Sequence, residues 1–404
     1  MKKFSKVVLI LNSIVVLSFF SSCKNKKEIR ELTLVVVNNL DFARNEVVAI
    51  KSADISEVLK HSRQESIRIQ NQTTKEYITT QWIDNDQDGV MDELLFQSEA
   101  PANASVKYVL VIDSLINAKE TTAVTFSRLV PERTDDYTWE NDKVAFRTYG
   151  PEAQRRIEQN EYGGTLSSGI DLWLKRVNYS IIDKWYAKNI ETEGYYHIDH
   201  GEGYDPYHVG KSRGTGGIGI WENDSLYVSK NFIAYKTIAR GPLRTVFELD
   251  YAPWSNYKIK ETKRVTLDLG SNFSKFEIKL NSEEEAPNYT IGITKHDGKG
   301  EVKLNNQEGW FRHWEPIDDA FIGEGIVIDN SLVKESINHD SKTPDQSQVL
   351  IVTQPKENTL SYYVGFAWTK SGQVFNVEDW DKMLDKQSMI VKSPLVLSIV
   401  KTSK

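Results

Sequence analysis

Short blocks of apolar and β-branched residues recur along the chain, and this pattern constrains the fold more than any other feature. A hairpin is the clearest case, because 265–269 and 276–280 each alternate between apolar and polar residues and flank Gly270-Ser271-Asn272. Such alternation predicts two antiparallel strands with one solvated face. Similar blocks, each typical of a half-buried or buried strand, lie at 32–37, 106–112, 362–368 and 395–400.

Helical patterns are scarce in this sequence. One short helix is predicted at 377–387, where Trp380, Met383 and Leu384 are spaced as on one helix face and Asn376 is a candidate N-cap. The 404 residues contain no Pro/Gly/Ser-rich linker. We therefore expect an all-β fold, a large antiparallel β-sandwich with few short helices. It would form a single unit over 28–404, with an N-terminal sheet at 28–125 as a candidate subdivision.

The N-terminus has the pattern of an export signal. Lys2, Lys3 and Lys6 precede an apolar run at 7–20 that is too short to span a membrane comfortably. The run ends in Ser21-Ser22-Cys23, which is similar to a bacterial lipobox, and Cys23 is the sole cysteine of the chain. We expect a signal peptide at 1–22 and a lipidated tether at 23–27. The protein would then be an exported lipoprotein anchored in the outer membrane, facing the periplasm or the cell surface.

The composition limits the kinds of partner. A formal charge of −7 provides no basic footprint for nucleic acid. The 10 Trp and 18 Tyr residues suit a protein that stacks on flat apolar faces, as sugar-binding proteins do, although β-sheet cores use the same residues. If the ligand is acidic, as an acidic oligosaccharide would be, it needs a local basic pocket.

An acidic segment at 84–93 has the spacing of a calcium loop. Asp84, Asp86, Asp88 and Asp92 occupy ligand positions, and Gly89 occupies the turn position. An EF-hand is excluded because Leu95 replaces its final glutamate and the flanking residues have strand patterns. The segment is therefore either a calcium-binding hairpin loop or a metal-free acidic turn, and its role in either case would be structural.

Two phosphate-binding patterns are incomplete. The motif G-x-G-x-x-G at 214–219 is followed by residues typical of strand, turn and strand, so no helix is available to bind a pyrophosphate. The Gly-Lys-Ser at 210–212 lacks the earlier glycine of a P-loop, because Asp205 stands there. Neither a dinucleotide nor ATP is expected as a cofactor.

The densest set of chemically competent side chains lies at 195–214. Histidine, tyrosine and arginine together suit proton abstraction beside a carboxylate, and a strand at 195–199 would put Tyr195, His197 and Asp199 on one face. Two alternatives remain: turn glycines with surface histidines, or a metal site. The candidate catalytic residues are His197, Tyr204, His200 and Arg213, and the alternative metal ligands are His197, His200, Asp205 and His208.

Other charged residues stand beside aromatic rings and are candidates for substrate binding. This mixture suits a saccharide subsite, but tryptophans at such positions serve equally well in a core. These candidates are Arg147, Trp185, Tyr207, His313 and Trp314.

Segments at 37–44, 84–96, 197–217 and 241–244 together resemble a family of exported lipoproteins catalogued as a domain of unknown function, from bacteria that degrade polysaccharides. One branch of that family is similar to the ulvan-oligosaccharide dehydratases, which remove water from a terminal uronic acid and leave a 4,5-unsaturated sugar. The resemblance implies a β-sandwich related to those of polysaccharide lyases and sugar mutarotases.

The expected chemistry is elimination across C4 and C5 of a uronic acid, which requires no cofactor. Arg213 or Arg147 would neutralise the substrate carboxylate, and His197 and Tyr204 would act as base and acid, with His200 in reserve. Metal at this site is left open. The alternatives are a polysaccharide lyase, a glycan-binding lipoprotein without catalysis and a mutarotase-like epimerase.

Overall fold

The computed structural model describes residues 31–113 and 125–400. The predicted signal peptide and the whole predicted tether at 23–27, including Cys23, lie outside these described residues. The described residues form strands that we number β1 to β26 in chain order: Glu31–Asn38, Arg44–Lys51, Ile67–Asn71, Tyr77–Ile78, Thr80–Ile83, Glu93–Ala100, Ala104–Ile112, Phe126–Val130, Asp136–Glu140, Ala145–Thr148, Asp171–Lys175, Gly203–Tyr204, Thr215–Glu222, Ser225–Tyr227, Phe232–Ala239, Arg244–Trp254, Ile259–Asp268, Phe273–Asn281, Tyr289–Thr294, Glu301–Asn305, Trp310–Ile317, Ala320–Ile328, Val333–His339, Gln348–Thr353, Thr359–Trp368 and Val396–Val400.

Four α-helices interrupt the strands in the described ranges: α1 (Ser56–Leu59), α2 (Pro151–Glu158), α3 (Ile182–Glu191) and α4 (Val377–Lys392). The predicted helix is confirmed as α4, which continues five residues past 387 to Lys392. Asn376 caps it, since its Oδ1 accepts the backbone N–H of Asp379 at 2.9 Å. None of the helices at 31–113 and 125–400 has the length and apolar character needed to cross a bilayer. Short 3₁₀ turns lie at Ser52–Ile55, Gln64–Ser66, Pro131–Arg133, Tyr195–His197, Asn330–Leu332 and Thr369–Ser371.

Three antiparallel sheets share the largest hydrophobic core. One has eight strands in the order β15-β16-β17-β18-β25-β22-β21-β20, and the others are β14-β13-β19-β24-β23 and β12-β11-β10-β9-β8. Phe247, Ile291 and Phe146 represent the three sheets in that core. The predicted hairpin is confirmed as β17 and β18, in which Val265 pairs with Phe276 and both are buried. The expectation of a mostly β, antiparallel fold is confirmed.

A second core lies between two smaller sheets at the N-terminal end of the chain. These sheets are β26-β1-β7-β3-β4 and β2-β6-β5, and Leu34, Phe96 and Tyr108 are buried between them. The sequence predicted one sheet at 28–125, whereas the structure has two. The last strand of the chain completes one of them, because Ser398 of β26 pairs with Val35 of β1.

A bridging segment of residues 203–210 connects two of the sheets that share the largest core. It begins in β12, and the hydroxyl of Tyr207 then reaches Glu315 on β21, at 2.7 Å. The hydroxyl of Tyr204 donates to Asp318 in the turn between β21 and β22. Residues of this segment therefore contact acidic side chains on β21 and in the turn that follows it.

Candidate active site

A buried arginine lies among three buried aspartates beside the bridging segment. Arg147 on β10 pairs in register with Asp171 on β11. Its Nη2 lies 2.5 Å from Asp171 Oδ2 and 2.6 Å from Asp205 Oδ2, and its Nη1 lies 3.9 Å from Asp136 Oδ2. The prediction that Arg147 binds the substrate carboxylate is wrong, because the residue is 3% exposed and its guanidinium is already paired.

This cluster retains protons close to neutral pH. Burial raises the pKa of Asp171 to about 7, and the charge of Asp205 adds to that effect while Arg147 opposes it. Burial also raises the pKa of Asp136 to about 6 and that of Asp205 to about 6, again against the charge of Arg147. One arginine therefore does not fully compensate three carboxyl groups in a low-dielectric environment.

His197 is the exposed member of this region. The 3₁₀ turn Tyr195–His197 replaces the strand predicted at 195–199, so the proposed shared face of that strand does not form. Nδ1 of His197 lies 2.8 Å from the carbonyl oxygen of Asp205. Because a carbonyl only accepts, Nδ1 carries the proton and Nε2 keeps its lone pair.

The side chain of His197 is 49% exposed, so a ligand can reach it. Burial of the remainder lowers its pKa, the hydrogen bond to Asp205 partly opposes this, and the positive charge of Arg147 lowers it further. His197 is consequently neutral at pH values where a free imidazole is partly protonated. This is the state required of a general base.

Arg133 is a second cation in this region and was not predicted from the sequence. It is half-buried, its Nε donates to the hydroxyl of Tyr196 at 3.3 Å, and its charge lowers the pKa of His197. The turn Pro131–Arg133 and the left-handed Thr134, with φ of 51°, place it there. No motif marks this arrangement, because Arg133 and His197 are brought together by two different loops.

Tyr204 and His200 occupy different surroundings. Burial and the hydrogen bond donated to Asp318 both raise the pKa of Tyr204, so its hydroxyl keeps its proton. His200 is exposed, and its ring stacks on Tyr195 with centroids 4.1 Å apart. His197 thus contacts the backbone of Asp205, whereas Tyr204 precedes Asp205 in the chain and its hydroxyl contacts Asp318.

Arg213 does not join this group, and its predicted catalytic role is wrong. It is 1% exposed, and its Nη1 donates to Ser168 Oγ at 2.9 Å and, at 3.4 Å, to the carbonyl of Ile218. Burial lowers its pKa to about 10. The backbone explains the placement: the carbonyl of Arg213 accepts the N–H of Ile170 at 3.1 Å, which fixes the chain with the side chain in the core.

The two tryptophans predicted to bind substrate are both buried. Trp185 on α3 stacks on Trp173 with centroids 5.5 Å apart and donates to Glu202 at 3.2 Å. Trp314 stacks on Phe321 at 5.7 Å. These contacts correct the predictions for Trp185 and Trp314, because a ring whose faces are covered by protein cannot stack on a sugar.

His313 and Tyr207 belong to a different cluster from the one predicted. His313 is buried on the face of β21 opposite to Trp314, as strand alternation requires. There it meets Glu315, Glu324 and His296, and one ligand atom from each lies within 4.8 Å of the others. His296, Glu315 and Glu324 were not predicted from the sequence, although the i, i+2 spacing of His313 and Glu315 on a strand was an available signal.

The comparisons with known proteins agree with the sequence landmarks. Residues 36–397 match the family described as a domain of unknown function, DUF4861. The chain belongs to this family. An "Uncharacterized protein P7" from Formosa agariphila is 45% identical over 399 residues, which cover 98% of this chain and 100% of the relative.

Solved structures that resemble this DUF4861 chain include two from Enterococcus faecalis. A protein of glycosyl hydrolase family 38 has a TM-score of 0.50 and 9% identity, and covers 92% of this chain and 47% of its own. An alpha-mannosidase has a TM-score of 0.50 and 8% identity, and covers 92% and 46%. The chain thus spans about half the length of either structure, and at these identities the likeness is one of fold.

The acidic loop of this DUF4861 chain brings three of its four predicted ligands together. Asp84, Asp86 and Asp88 form a compact group, whereas Asp92 accepts the backbone N–H of Asn85 at 2.6 Å. Burial acts to raise the pKa of Asp84, but backbone N–H groups led by those of Gly89 and Gln87 outweigh it and hold the pKa below its ordinary value. Strands β5 and β6 flank the loop, as the exclusion of an EF-hand required. Calcium binding here stays a prediction.

The alternative metal site at 197–208 is not supported by the ligand geometry. In residues 31–113 and 125–400, the compact ligand groups are the His296 cluster and the acidic loop. His197, His200, Asp205 and His208 do not form such a group.

Proposed function

We propose that the protein is a carbon–oxygen lyase, a dehydratase that eliminates water from the terminal uronic acid of ulvan-type oligosaccharides. The product would carry a 4,5-unsaturated uronyl end. One observation carries the proposal: His197 is half-exposed and is held through Nδ1 by the Asp205 carbonyl, 2.8 Å away. A histidine fixed in this tautomer presents a free Nε2 to a ligand and suits removal of a weakly acidic C–H proton.

In the proposed elimination, Nε2 of His197 takes the proton from C5, and the electrons of that bond form the C4=C5 double bond. The C4–O bond breaks, and the departing hydroxide takes a proton to leave as water. Tyr204 is the proposed donor, with His200 in reserve. Although the pKa of the Tyr204 hydroxyl is raised, hydroxide is more basic than tyrosinate. Proton transfer from Tyr204 to the departing hydroxide is therefore favourable. Proton exchange with solvent then restores both residues.

The carboxylate on C5 needs a positive charge as the carbanion develops. Arg147 and Arg213 are buried and engaged, so we assign this role to Arg133, which borders Tyr196 and acts electrostatically on His197. Tyr162 is close to Arg133 in the fold, because Nη1 of Arg133 donates at 3.5 Å to the carbonyl of Gly163, the next residue in the chain. The side chain of Tyr162 is 85% exposed, and its hydroxyl donates to Glu193 at 2.6 Å. An exposed ring beside an arginine suits stacking on a sugar and capture of its carboxylate.

Two further features belong to the proposal. The three sheets that share one core support a sandwich of the kind that polysaccharide lyases and mutarotases have. The lipobox-like segment supports export and anchoring in the outer membrane through Cys23. A Cys23→Ser variant should lose metabolic labelling by fatty acid and leave the membrane fraction, and retention of the label would contradict the anchor.

The proposal is tested by incubating the purified protein with glucuronate- and iduronate-ended oligosaccharides. The near-ultraviolet absorbance of the unsaturated carboxylate should rise, and mass spectrometry should detect loss of one water without chain cleavage. A rise with shorter fragments would indicate a polysaccharide lyase instead. Unaltered oligosaccharides that bind the protein would indicate a glycan-binding lipoprotein.

His197→Ala is the decisive variant. We expect turnover to fall about 10²–10⁴-fold, the usual contribution of a general base. His61→Ala is the matched control, because His61 is an exposed histidine beside α1. Full activity of His197→Ala, with a normal thermal unfolding transition, would contradict the assignment.

A further inference from the structure

Two histidines and two glutamates converge on the inner side of the β21–β22 hairpin. His313 and Glu315 alternate along β21 and therefore share one face. Glu324 on β22 pairs in register with His313. His296 follows β19 of the neighbouring sheet and completes the set, with one ligand atom per residue within 4.8 Å of the others.

The charges of this cluster are not balanced by a lysine or an arginine. Glu315 and Glu324 are both buried, and their ion-pair partners within the described parts of the chain are His296 and His313. Arg312 lies next to His313 in sequence but extends to the other face, where it pairs with Glu301 and Asp381. Two buried carboxylates whose charged partners in the described residues are both imidazoles require either two protonated histidines or a divalent cation to balance their charge.

The donor atoms are arranged as ligands. Nδ1 of His296 lies 2.7 Å from Glu315 Oε1 without the alignment of a hydrogen bond. Nδ1 of His313 lies 3.2 Å from Glu324 Oε2. Gly300 packs so closely against Nε2 of His313 that a Cβ there would collide with it, and the same nitrogen has no hydrogen-bond partner. The opposite nitrogen, Nδ1, is thus the one that a cation bound by the carboxylates would contact.

Outer groups hold the carboxylates in place. The hydroxyl of Tyr207 donates to Glu315 Oε1 at 2.7 Å, and Thr215 Oγ1 donates to Glu324 Oε1 at 2.8 Å. The ring of Tyr207 stacks on His296 with centroids 4.1 Å apart. His296 itself has a left-handed backbone, with φ of 39°, a conformation that non-glycine residues adopt mainly where the surroundings impose it. Supporting hydrogen bonds of this kind orient the ligands of metal sites.

We infer that His296, His313, Glu315 and Glu324 bind one divalent transition-metal cation. Imidazole nitrogens with carboxylate oxygens suit Zn²⁺ or Mn²⁺, whereas Ca²⁺ and Mg²⁺ favour oxygen ligands alone. The inference concerns metal binding and stands whether or not the protein eliminates water.

The test uses full-length protein in detergent, stripped with a chelator and titrated by calorimetry with ZnCl₂ or MnCl₂. We expect one equivalent to bind, and Co²⁺ to give a visible spectrum typical of nitrogen and oxygen ligands. Glu324→Gln keeps the shape of the side chain and removes its charge, and should weaken binding more than about tenfold. Asp86→Asn is the control, because it changes the acidic loop and should leave the affinity unchanged.

A second variant protects the test against misfolding. His296 is half-buried at the edge of the cluster, so His296→Gln should fold even where Glu324→Gln does not, and should also weaken binding more than about tenfold. The inference is overturned by a wild-type protein that binds neither metal. It is equally overturned by His296→Gln binding with wild-type affinity, or by loss of binding in Asp86→Asn.

Discussion

At the residue scale, the proposed chemistry depends on a contrast between buried and accessible ionisable groups. Arg147 is enclosed with Asp136, Asp171 and Asp205, whereas His197 rests on the same cluster and reaches solvent. The cluster therefore acts on His197 through Asp205, whose carbonyl fixes the tautomer. Arg147 has a positioning role in this account, and it does not touch the substrate.

The pH dependence of activity follows from the state of His197. Its pKa lies below the ordinary value of 6.5, chiefly because of burial. A base is active when deprotonated, so kcat/KM should rise with pH and reach its plateau below the pH at which a free imidazole would give it. The measurement is a pH profile of kcat/KM on a uronic-acid oligosaccharide. An acidic limb with an apparent pKa above 6.5 would contradict the assignment.

The buried aspartates predict a pH dependence of stability. In the folded protein the pKa of Asp171 is raised from 3.8 to about 7. Between pH 3.8 and about 7, the folded state therefore binds more protons than the unfolded state. The free energy of unfolding should fall as the pH rises through this range. Asp171→Asn should make that fall shallower in denaturant titrations at several pH values.

Asp224→Asn is the control for this prediction, because Asp224 is exposed. It should leave the slope of stability against pH as in the wild type. An unchanged slope in Asp171→Asn would contradict the raised pKa.

Several site residues could not be identified from the sequence because their neighbours come from distant elements. His313 was a visible candidate, but its partner Glu324 is defined by the register of β21 and β22. Arg133 approaches His197 through an irregular turn that no periodicity marks. Arg213 was placed wrongly because the direction of its side chain depends on backbone pairing with Ile170, which a glycine-rich segment does not reveal.

At the element scale, strands with clean alternation and a capped helix were predictable, since each has a local signal. β1, β17, β18, β25 and α4 are of this kind. Helix α3 was missed although Ile182, Trp185 and Tyr186 have helical spacing and are buried together. Trp185 was interpreted as a ring that stacks on a sugar, but the i, i+3, i+4 pattern of the three residues indicated a helix face packed in the core.

Helix α4 packs on the eight-stranded sheet through Trp380. Trp380 is fully buried, its ring stacks on Phe273 at 5.7 Å, and it packs against Gly323 of β22. Trp380→Ala should lower the free energy of unfolding by about 3–5 kcal/mol, because a large cavity would form between helix and sheet. Chemical denaturation measures this loss.

Phe375→Ala is the matched control, because the side chain lies just before the same helix and is exposed. Its effect should stay within about 0.5 kcal/mol. A loss below about 1 kcal/mol for Trp380→Ala would show that α4 contributes little to the fold.

At the scale of the whole molecule, the segment 203–210 contacts ionisable side chains that belong to separate sheets. Tyr204 and Tyr207 extend from it to Asp318 and Glu315, while Asp205 holds both Arg147 and His197. The proposed base and the inferred metal cluster consequently both contact one short stretch of chain, the base through Asp205 and the cluster through Tyr207. This stretch lies within 195–214, whose histidine, tyrosine and arginine residues were the strongest sequence signal for function.

Elimination with His197 as base is tested with a uronic-acid oligosaccharide that carries deuterium at C5. We expect a product that has lost both the deuterium and one water, with a slower rate for the labelled substrate, and turnover about 10²–10⁴-fold lower in His197→Ala. A product that retains the deuterium, or equal turnover by His197→Ala, would contradict it.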